Sequence, residues 1–234
     1  MINNFDQLPN ICKFKPGTYY TFIAFTRKKD TGLKNSLIKQ WLIDSHEELN
    51  SKKQSMIDLC NNTNARLYMT TDRKSIKKTV LNIQQEVNEM IKQYLFSDNY
   101  KPSLANLNRL VTSASQKKES TDGDKYWLVD IDANNYTGRL NKDKISLLVS
   151  DTFKGLLGGL VVAELNTVNG KHLIVAKEMP LSKQFVCMLD FKLANTYQRL
   201  SPYAVSALKD RFVTFRSCYE IKENALTLIY YGGN

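Results

Sequence analysis

Histidine is almost missing from this sequence: His46 and His172 are the only two in 234 residues. Together with the lack of any GxSxG, that scarcity excludes nucleophile triads of the Ser-His-Asp kind. There is no GxxxxGK and no GxGxxG, which sets aside P-loop chemistry and Rossmann-type dinucleotide binding. The four cysteines, Cys12, Cys60, Cys187 and Cys218, are scattered, with no CxxC pair and no metal-like spacing. They read as reduced, mostly buried thiols of a cytosolic protein. No apolar run reaches the length of a membrane span, and MINNFDQLPN has neither the basic end nor the apolar core of a signal peptide. The expectation is a cytoplasmic protein without a membrane partner. Internal repeats and low-complexity tracts are also lacking.

What is present is a chain with 42% hydrophobic and 24% charged residues, enough to bury a substantial core. Its 33 Lys+Arg against 23 Asp+Glu leave a net charge of +10. That balance favours a polyanionic partner, nucleic acid or nucleotide phosphate, although lysine excess also serves as solubilising surface.

The stretch from Lys125 to Asn135, KYWLVDIDANN, carries the most chemical information. Tyr126, Trp127, Leu128, Val129 and Ile131 predict a buried strand. Asp130 and Asp132 close it two positions apart, on one face, with roughly 6–7 Å between them from the strand rise. Two carboxylates that close are costly unless a cation lies between them, and Mg²⁺ or Mn²⁺ takes oxygen ligands in this way. Against that stands the turn chemistry of DANN, which places Asp and Asn at strand ends for purely local reasons.

The chain in order predicts an α+β fold with mixed or antiparallel sheets and flanking helices. Thr18–Thr26 and 36–44 form a hairpin with the basic tip Arg27-Lys28-Lys29-Asp30. Ser45 caps a helix over 46–61, with Leu49, Met56, Ile57 and Cys60 inward. A strand over 65–70 precedes a long helix over 75–96, capped by Thr71 or Asp72. The stripe Ile76, Val80, Ile83, Val87, Met90, Ile91 and Tyr94 on that helix reads as core. Residues 97–124 read as a polar connector that ends in a mobile loop, apart from a short helix at 103–112. Beyond the central strand come a helix over 142–157, ended by Gly158-Gly159, and a hairpin of 160–165 with 172–177. Helices over 181–193 and 202–210, a strand over 212–218 and a closing strand over 227–231 complete the order. One domain spans 1–234, divisible into subdomains 1–96 and 125–234 joined by 97–124.

Three further groups are candidates to join the aspartates. Gly170-Lys171-His172 places a histidine beside a residue that permits close approach of backbone or phosphate. The basic turns Arg27-Lys28-Lys29 and Arg73-Lys74 each follow a strand, and arginine clamps phosphate bidentately. Lys222-Glu223-Asn224 precedes the last strand. Tyr19, Tyr20 and Phe22 beside the first basic turn suggest a stacking surface for single strands.

The segment WLVDIDANN (Trp127 to Asn135) followed by NGKHLIVAK (Asn169 to Lys177) resembles the archaeo-eukaryotic primase (primase-polymerase) superfamily. There an apolar strand ends in D-x-D, and a small residue, any residue and His lie on a later strand. More broadly, the chain resembles a family of tailed-phage proteins in five segments, in the same order: Arg27–Asp30; Asn64–Tyr68 with Arg73; Trp127–Asp132; Thr167–Ile174; and Lys222–Tyr230. The resemblance implies an RRM-like core and catalytic Asp130, Asp132 and His172, the aspartates binding Mg²⁺ or Mn²⁺. It also implies phosphate or nucleic-acid contacts from Arg27, Lys28, Arg66, Arg73, Lys171 and Lys222. The closing strand lacks the third carboxylate of active members, for which Asp190 and Glu220 are the candidates. HLIVAKEMP likewise departs from the usual continuation after the histidine.

The expected function is therefore metal-dependent binding of a nucleoside triphosphate or single-stranded DNA or RNA, in a host cytoplasm and alongside phage replication proteins. Activity, where retained, would be nucleotidyl transfer. Two alternatives share these residues. One is a non-catalytic nucleic-acid-binding module used in replication or against host defence. The other is a metal-dependent nuclease recruiting Glu164 and Lys177.

Overall fold

A computed structural model of the chain describes residues 1–32, 34–97, 104–123, 125–135, 141–178, 183–200, 215–223 and 225–233. The chain is α+β and divides into two compact units, one from Asn3–Lys125 and Asn224–Asn234, the other from Tyr126–Glu223. No helix among the described residues is long and apolar enough to cross a membrane.

Unit 1 is built on β1 (Ile2–Asn3), β2 (Thr18–Thr26), β3 (Ser36–Ile43), β4 (Arg66–Thr70), β5 (Lys74–Ser75) and β10 (Leu226–Tyr231). Their order is β1-β10-β4-β2-β3, with β5 paired to β2. Strand β2 has neighbours on both sides and buries eight of its nine residues, which is why it reads as a continuous apolar and β-branched run.

Helix α3 (His46–Thr63) is capped by Ser45, whose Oγ accepts from Glu48 N at 3.2 Å. Leu49, Met56 and Cys60 are buried along it. Helices α4 (Ile76–Phe96) and α5 (Leu104–Gln116) hold to the sheet partly through polar bonds. Thr79 shares a 2.7 Å bond with the Tyr19 hydroxyl, and Gln40 Nε2 donates to Ser115 Oγ at 3.3 Å.

Two expectations fail in this unit. The apolar stripe of α4 is not core, since Ile76, Val80, Ile91 and Tyr94 are exposed, Tyr94 at 59%. The buried positions are Thr79 and Asn82, because the helix is anchored by hydrogen bonds. Its cap is Ser75, whose Oγ accepts from Lys78 N, while Thr71 and Asp72 are buried in the preceding bend.

The short helix expected over 103–112 is α5, which runs on to Gln116, but the stretch after it is not the mobile loop expected there. After α5, a 3₁₀ turn over Lys118–Ser120 buries Ser120 and Thr121. The residues that read as solvated connector are partners of buried groups. Asn82 Nδ2 donates to Ser120 Oγ at 2.8 Å, and Lys74 Nζ donates to Thr121 Oγ1 at 3.1 Å and to the Lys117 carbonyl at 3.2 Å.

Unit 2 runs β6 (Tyr126–Asp132), α6 (Lys142–Leu157), β7 (Val161–Asn166), β8 (Gly170–Ala176), α7 (Lys183–Leu200) and β9 (Tyr219–Glu223). The sheet order is β7-β8-β6-β9, every neighbouring pair antiparallel. Asn141 caps α6, its Oδ1 accepting from Asp143 N at 2.7 Å, and Gly158 at φ 53° ends it. Val129 and Ile131 of β6 pack with Ile145, Val149 and Phe153 of α6 and Leu189 and Leu193 of α7.

By alternation, Leu128, Asp130 and Asp132 lie on the opposite face of β6. The strand expected over 212–218 is instead a 3₁₀ turn across Phe215–Cys218, its described part, and the pairing strand is β9 immediately after it. The helix expected over 202–210 and Asn224 lie outside the described residues.

Candidate functional site

Strand β6 lies between β8 and β9, so Asp130 has a cross-strand neighbour on each side: His172 on β8 and Glu220 on β9. Directly opposed residues share a face of the sheet. His172 Nε2 lies 3.2 Å from Asp130 Oδ1, and Lys222 Nζ donates to Asp130 Oδ2 at 2.8 Å. The same ammonium reaches Glu220 Oε2 at 2.9 Å, so Lys222 bridges two carboxylates.

The Asp130 side chain is 29% exposed and that of His172 11%. Burial raises the Asp130 carboxyl pKa, but the hydrogen bonds and charges of His172 and Lys222 outweigh it and hold the group well below the usual carboxylate range. For Lys222 the balance runs the other way. Burial lowers it, and Asp130 and Glu220 together push it above its ordinary value.

Asp132 ends the strand, and its Oδ1 accepts from Asn134 N at 2.9 Å at the start of a 3₁₀ turn. The local turn chemistry is therefore real. It engages one oxygen of Asp132, whose backbone register sets it opposite Gly170. A Cβ at Gly170 would collide with the Ile131 carbonyl, so the glycine before Lys171-His172 is required by the close approach of β6.

The structure thus brings together Asp130, Asp132, His172 and Lys222. Glu220 belongs with them, since it shares the Asp130 face. Asp190, the other candidate third carboxylate, accepts from the Tyr219 hydroxyl at 2.9 Å on the helix-covered side. Sequence reading had no pattern to choose between the two. The signal is positional, because Glu220 and Lys222 alternate on a strand that becomes visible only once β9 is paired.

Lys171 is not part of this group. Alternation turns it to the helix side, where it pairs with Glu164, itself 2.8 Å from Lys154 Nζ. Lys177 bonds Glu223 at 2.8 Å and lies 4.0 Å from the Trp127 ring. The Glu164 and Lys177 of the nuclease alternative are therefore engaged with other groups, away from Asp130.

The other basic candidates are in unit 1, and two of them are interior groups rather than surface cations. Arg66, 4% exposed, clamps Asp30 bidentately at 2.6 and 2.5 Å and stands 4.8 Å from the Tyr231 ring. Arg73, 1% exposed, donates to the Lys13 carbonyl at 2.5 Å. Folding the turn after β4 inward satisfies backbone acceptors at the cost of accessible charge.

Arg27 is half-buried and Lys28 exposed at the start of α2 (Lys28–Thr31), a single helical turn. Tyr19, Tyr20 and Phe22 are buried, so they form no stacking surface.

Among the described residues, no three His, Cys, Asp or Glu groups form a ready-made metal cluster. The donor chemistry on the Asp130 face nonetheless suits a hard divalent ion, with oxygens from Asp130, Asp132 and Glu220. In the structure the cation bridging two of them is the Lys222 ammonium. Comparison of the chain with family models, with curated proteins and with solved structures gave no match in any of the three.

Proposed function

We propose that the Asp130 face of unit 2 binds a nucleoside triphosphate, or the end of a nucleic-acid strand, together with Mg²⁺ or Mn²⁺. The observation that carries this reading is the Asp130–His172 pair on adjacent central strands, with Asp132, Glu220 and Lys222 on the same face. The element order strand-helix-strand-strand-helix-strand, with the first strand between the third and fourth, supports an RRM-like core of the primase-polymerase kind.

Asp130, Asp132 and Glu220 would hold the ion, which supplies charge neutralisation and orientation of the phosphates. His172 keeps Asp130 ionised and fixed. Lys222, which bridges Asp130 and Glu220, would redirect its ammonium to donate to a phosphate oxygen. On the resemblance to tailed-phage proteins, the setting is a host cytoplasm with replication proteins as partners, and nucleotidyl transfer is the reaction such a site serves.

The test is paired equilibrium binding of NTPs and single-stranded oligonucleotides to wild type and to Asp130→Asn/Asp132→Asn, with Mn²⁺ or with EDTA. Metal-dependent NTP binding that the double variant loses supports the site, and primer extension follows. Oligonucleotide binding indifferent to metal and to the substitutions overturns it. That outcome matches the second reading, a non-catalytic nucleic-acid-binding module, for which one observation speaks: Lys222 already pairs with both Asp130 and Glu220. Steep salt dependence without a metal requirement is its signature.

A further inference from the structure

Unit 1 holds a cleft of about 410 Å³ that the Asp130 site does not use. Phe25, Leu37 and Tyr68 supply apolar and aromatic wall, and Arg27, Asn35 and Gln116 supply polar groups. That mixture, a mostly apolar concavity with a few converging polar side chains, is the composition of small-molecule sites, and the size falls within their usual range of roughly 300–1,000 Å³.

The architecture explains why a cleft forms here. Phe25 and Leu37 are cross-strand partners on β2 and β3, just past a register shift after Ala24. Such shifts re-aim side chains and recur beside binding sites. Tyr68 continues the wall on β4, where it pairs with Ile23, and the C-terminal part of α5 contributes Gln116.

Charge then decides what the cleft would accept. The turn that carries Arg27 contains a single acid, Asp30, and both its carboxylate oxygens are bonded to Arg66. No carboxylate among the described residues forms an ion pair with Arg27, and Lys28 beside it is exposed. The Arg66–Asp30 pair also anchors α2, the turn that Arg27 leads into, so the guanidinium at the cleft stands on a fixed support. A guanidinium at an aromatic-walled cleft recognises an anion attached to a flat ring. Asn35 Oδ1 accepts from Lys28 N at 2.7 Å, which fixes that side chain and leaves its NH₂ as the donor at the cleft. The Gln116 amide adds a donor and an acceptor, the chemistry that reads the edge of a nucleobase.

We infer that this cleft is a metal-independent site for a nucleoside 5′-monophosphate, free or as the phosphorylated terminal nucleotide of a strand. Arg27 takes the phosphate, Phe25 and Tyr68 flank the base, and the amides meet its edge. The site stands apart from the Asp130 reading, since it needs neither the aspartates nor a divalent ion.

The experiment is calorimetric titration of the full chain in EDTA with AMP, adenosine, inorganic phosphate and a 5′-phosphorylated tetranucleotide. The variants are Arg27→Gln, Arg27→Lys and the cleft-filling Leu37→Trp. Leu37 is 45% exposed, so that last change leaves the core untouched. Saturable AMP binding is expected, weaker by about tenfold or more in Arg27→Gln, as fits loss of a charge-assisted contact. Arg27→Lys should recover part of it, and Leu37→Trp should abolish it.

Adenosine or phosphate alone should bind far more weakly than AMP. A tetranucleotide that binds tighter than AMP identifies strand ends as the source, and one that binds weaker identifies the free nucleotide. Asp130→Asn/Asp132→Asn should leave AMP binding unchanged, so this inference and the Asp130 reading fail separately. Absence of AMP saturation, or equal affinity in wild type, Arg27→Gln and Leu37→Trp, overturns the proposal.

Discussion

Lys222 Nζ stands 2.8 Å from Asp130 Oδ2, reaching diagonally across the β6–β9 pair from its place opposite Leu128, two residues along. The same ammonium bridges to Glu220, so the face carries an internal cation. Lys222→Met removes that cation while leaving the oxygens. Because Lys222 is partly exposed, the loss of stability should stay within about 1 kcal/mol. Mn²⁺ affinity, followed by electron paramagnetic resonance, should rise several-fold as Asp130 and Glu220 are released. An unchanged or reduced Mn²⁺ affinity would count against a metal-binding role for these carboxylates.

Acid stability should report on Asp130. Its folded-state pKa is depressed, since His172 and Lys222 outweigh the opposing effect of burial. Such a group contributes stability that is fully present above the unfolded value of about 3.9 and is lost as pH falls below it. Urea unfolding between pH 7 and 2.5 should show wild type losing about 1–2 kcal/mol more than Asp130→Asn over the acid limb. Parallel curves for the two proteins would refute the assignment.

Lys74 predicts the opposite limb. It is fully buried in unit 1, and burial pushes its pKa down to about 8 against the pull of Asp72 and Glu119. The unfolded chain, with a lysine pKa of about 10.4, then holds more protons than the folded one between those values, so this group makes stability rise with pH by about 2–3 kcal/mol. The thiols of Cys12, Cys60 and Cys218 are raised by burial and act in reverse above about pH 8.5. Comparing Lys74→Met with wild type from pH 7 to 10 cancels the thiols. The variant's curve should lack the rising component.

Gly170→Ala tests the close approach of β8 to β6. The added methyl meets the Ile131 carbonyl, which is backbone and cannot rotate away. A loss of about 1–3 kcal/mol is expected, from overpacking at a site with no room. Guanidinium unfolding measures it, and a change below about 0.5 kcal/mol would mean that the strands separate freely there.

Asp30→Asn should cost about 3 kcal/mol, because it strips the charge partner from an arginine that is 4% exposed. Arg66→Lys should also lose stability, since an ammonium cannot repeat the two-point clamp on Asp30. Thermal unfolding of both variants provides the check.

The elements closed by local signals were legible in the sequence. Ser45 marks the start of α3, Gly158-Gly159 ends α6 at Lys142–Leu157, and the hairpins β2–β3 and β7–β8 fall at their glycine turns. What local pattern does not encode is the partner. Periodicity in α4 announced an amphipathic helix, yet Thr79 and Asn82 do the anchoring, because Tyr19 and Ser120 arrive from distant sequence. Asp130 and His172 were both visible as residues of interest. Their adjacency depends on a strand register that pairs positions far apart, and so does the membership of Glu220. Arg66 and Arg73 misled for the same reason, since nothing near them in sequence tells that they are buried.

Strand β10 lies between β1 and β4, although the whole of unit 2 precedes it in the chain. Unit 2 is thus an insertion, and its two ends leave on neighbouring strands, with Trp127 opposite Glu223. The host sheet therefore has an interior slot that only Leu226–Tyr231, encoded after all of the inserted unit, can fill. A premature stop shortly after Glu223 would therefore spare the later-encoded unit and strand the earlier one, with the unpaired edges of β4 and β1 open to a neighbouring chain.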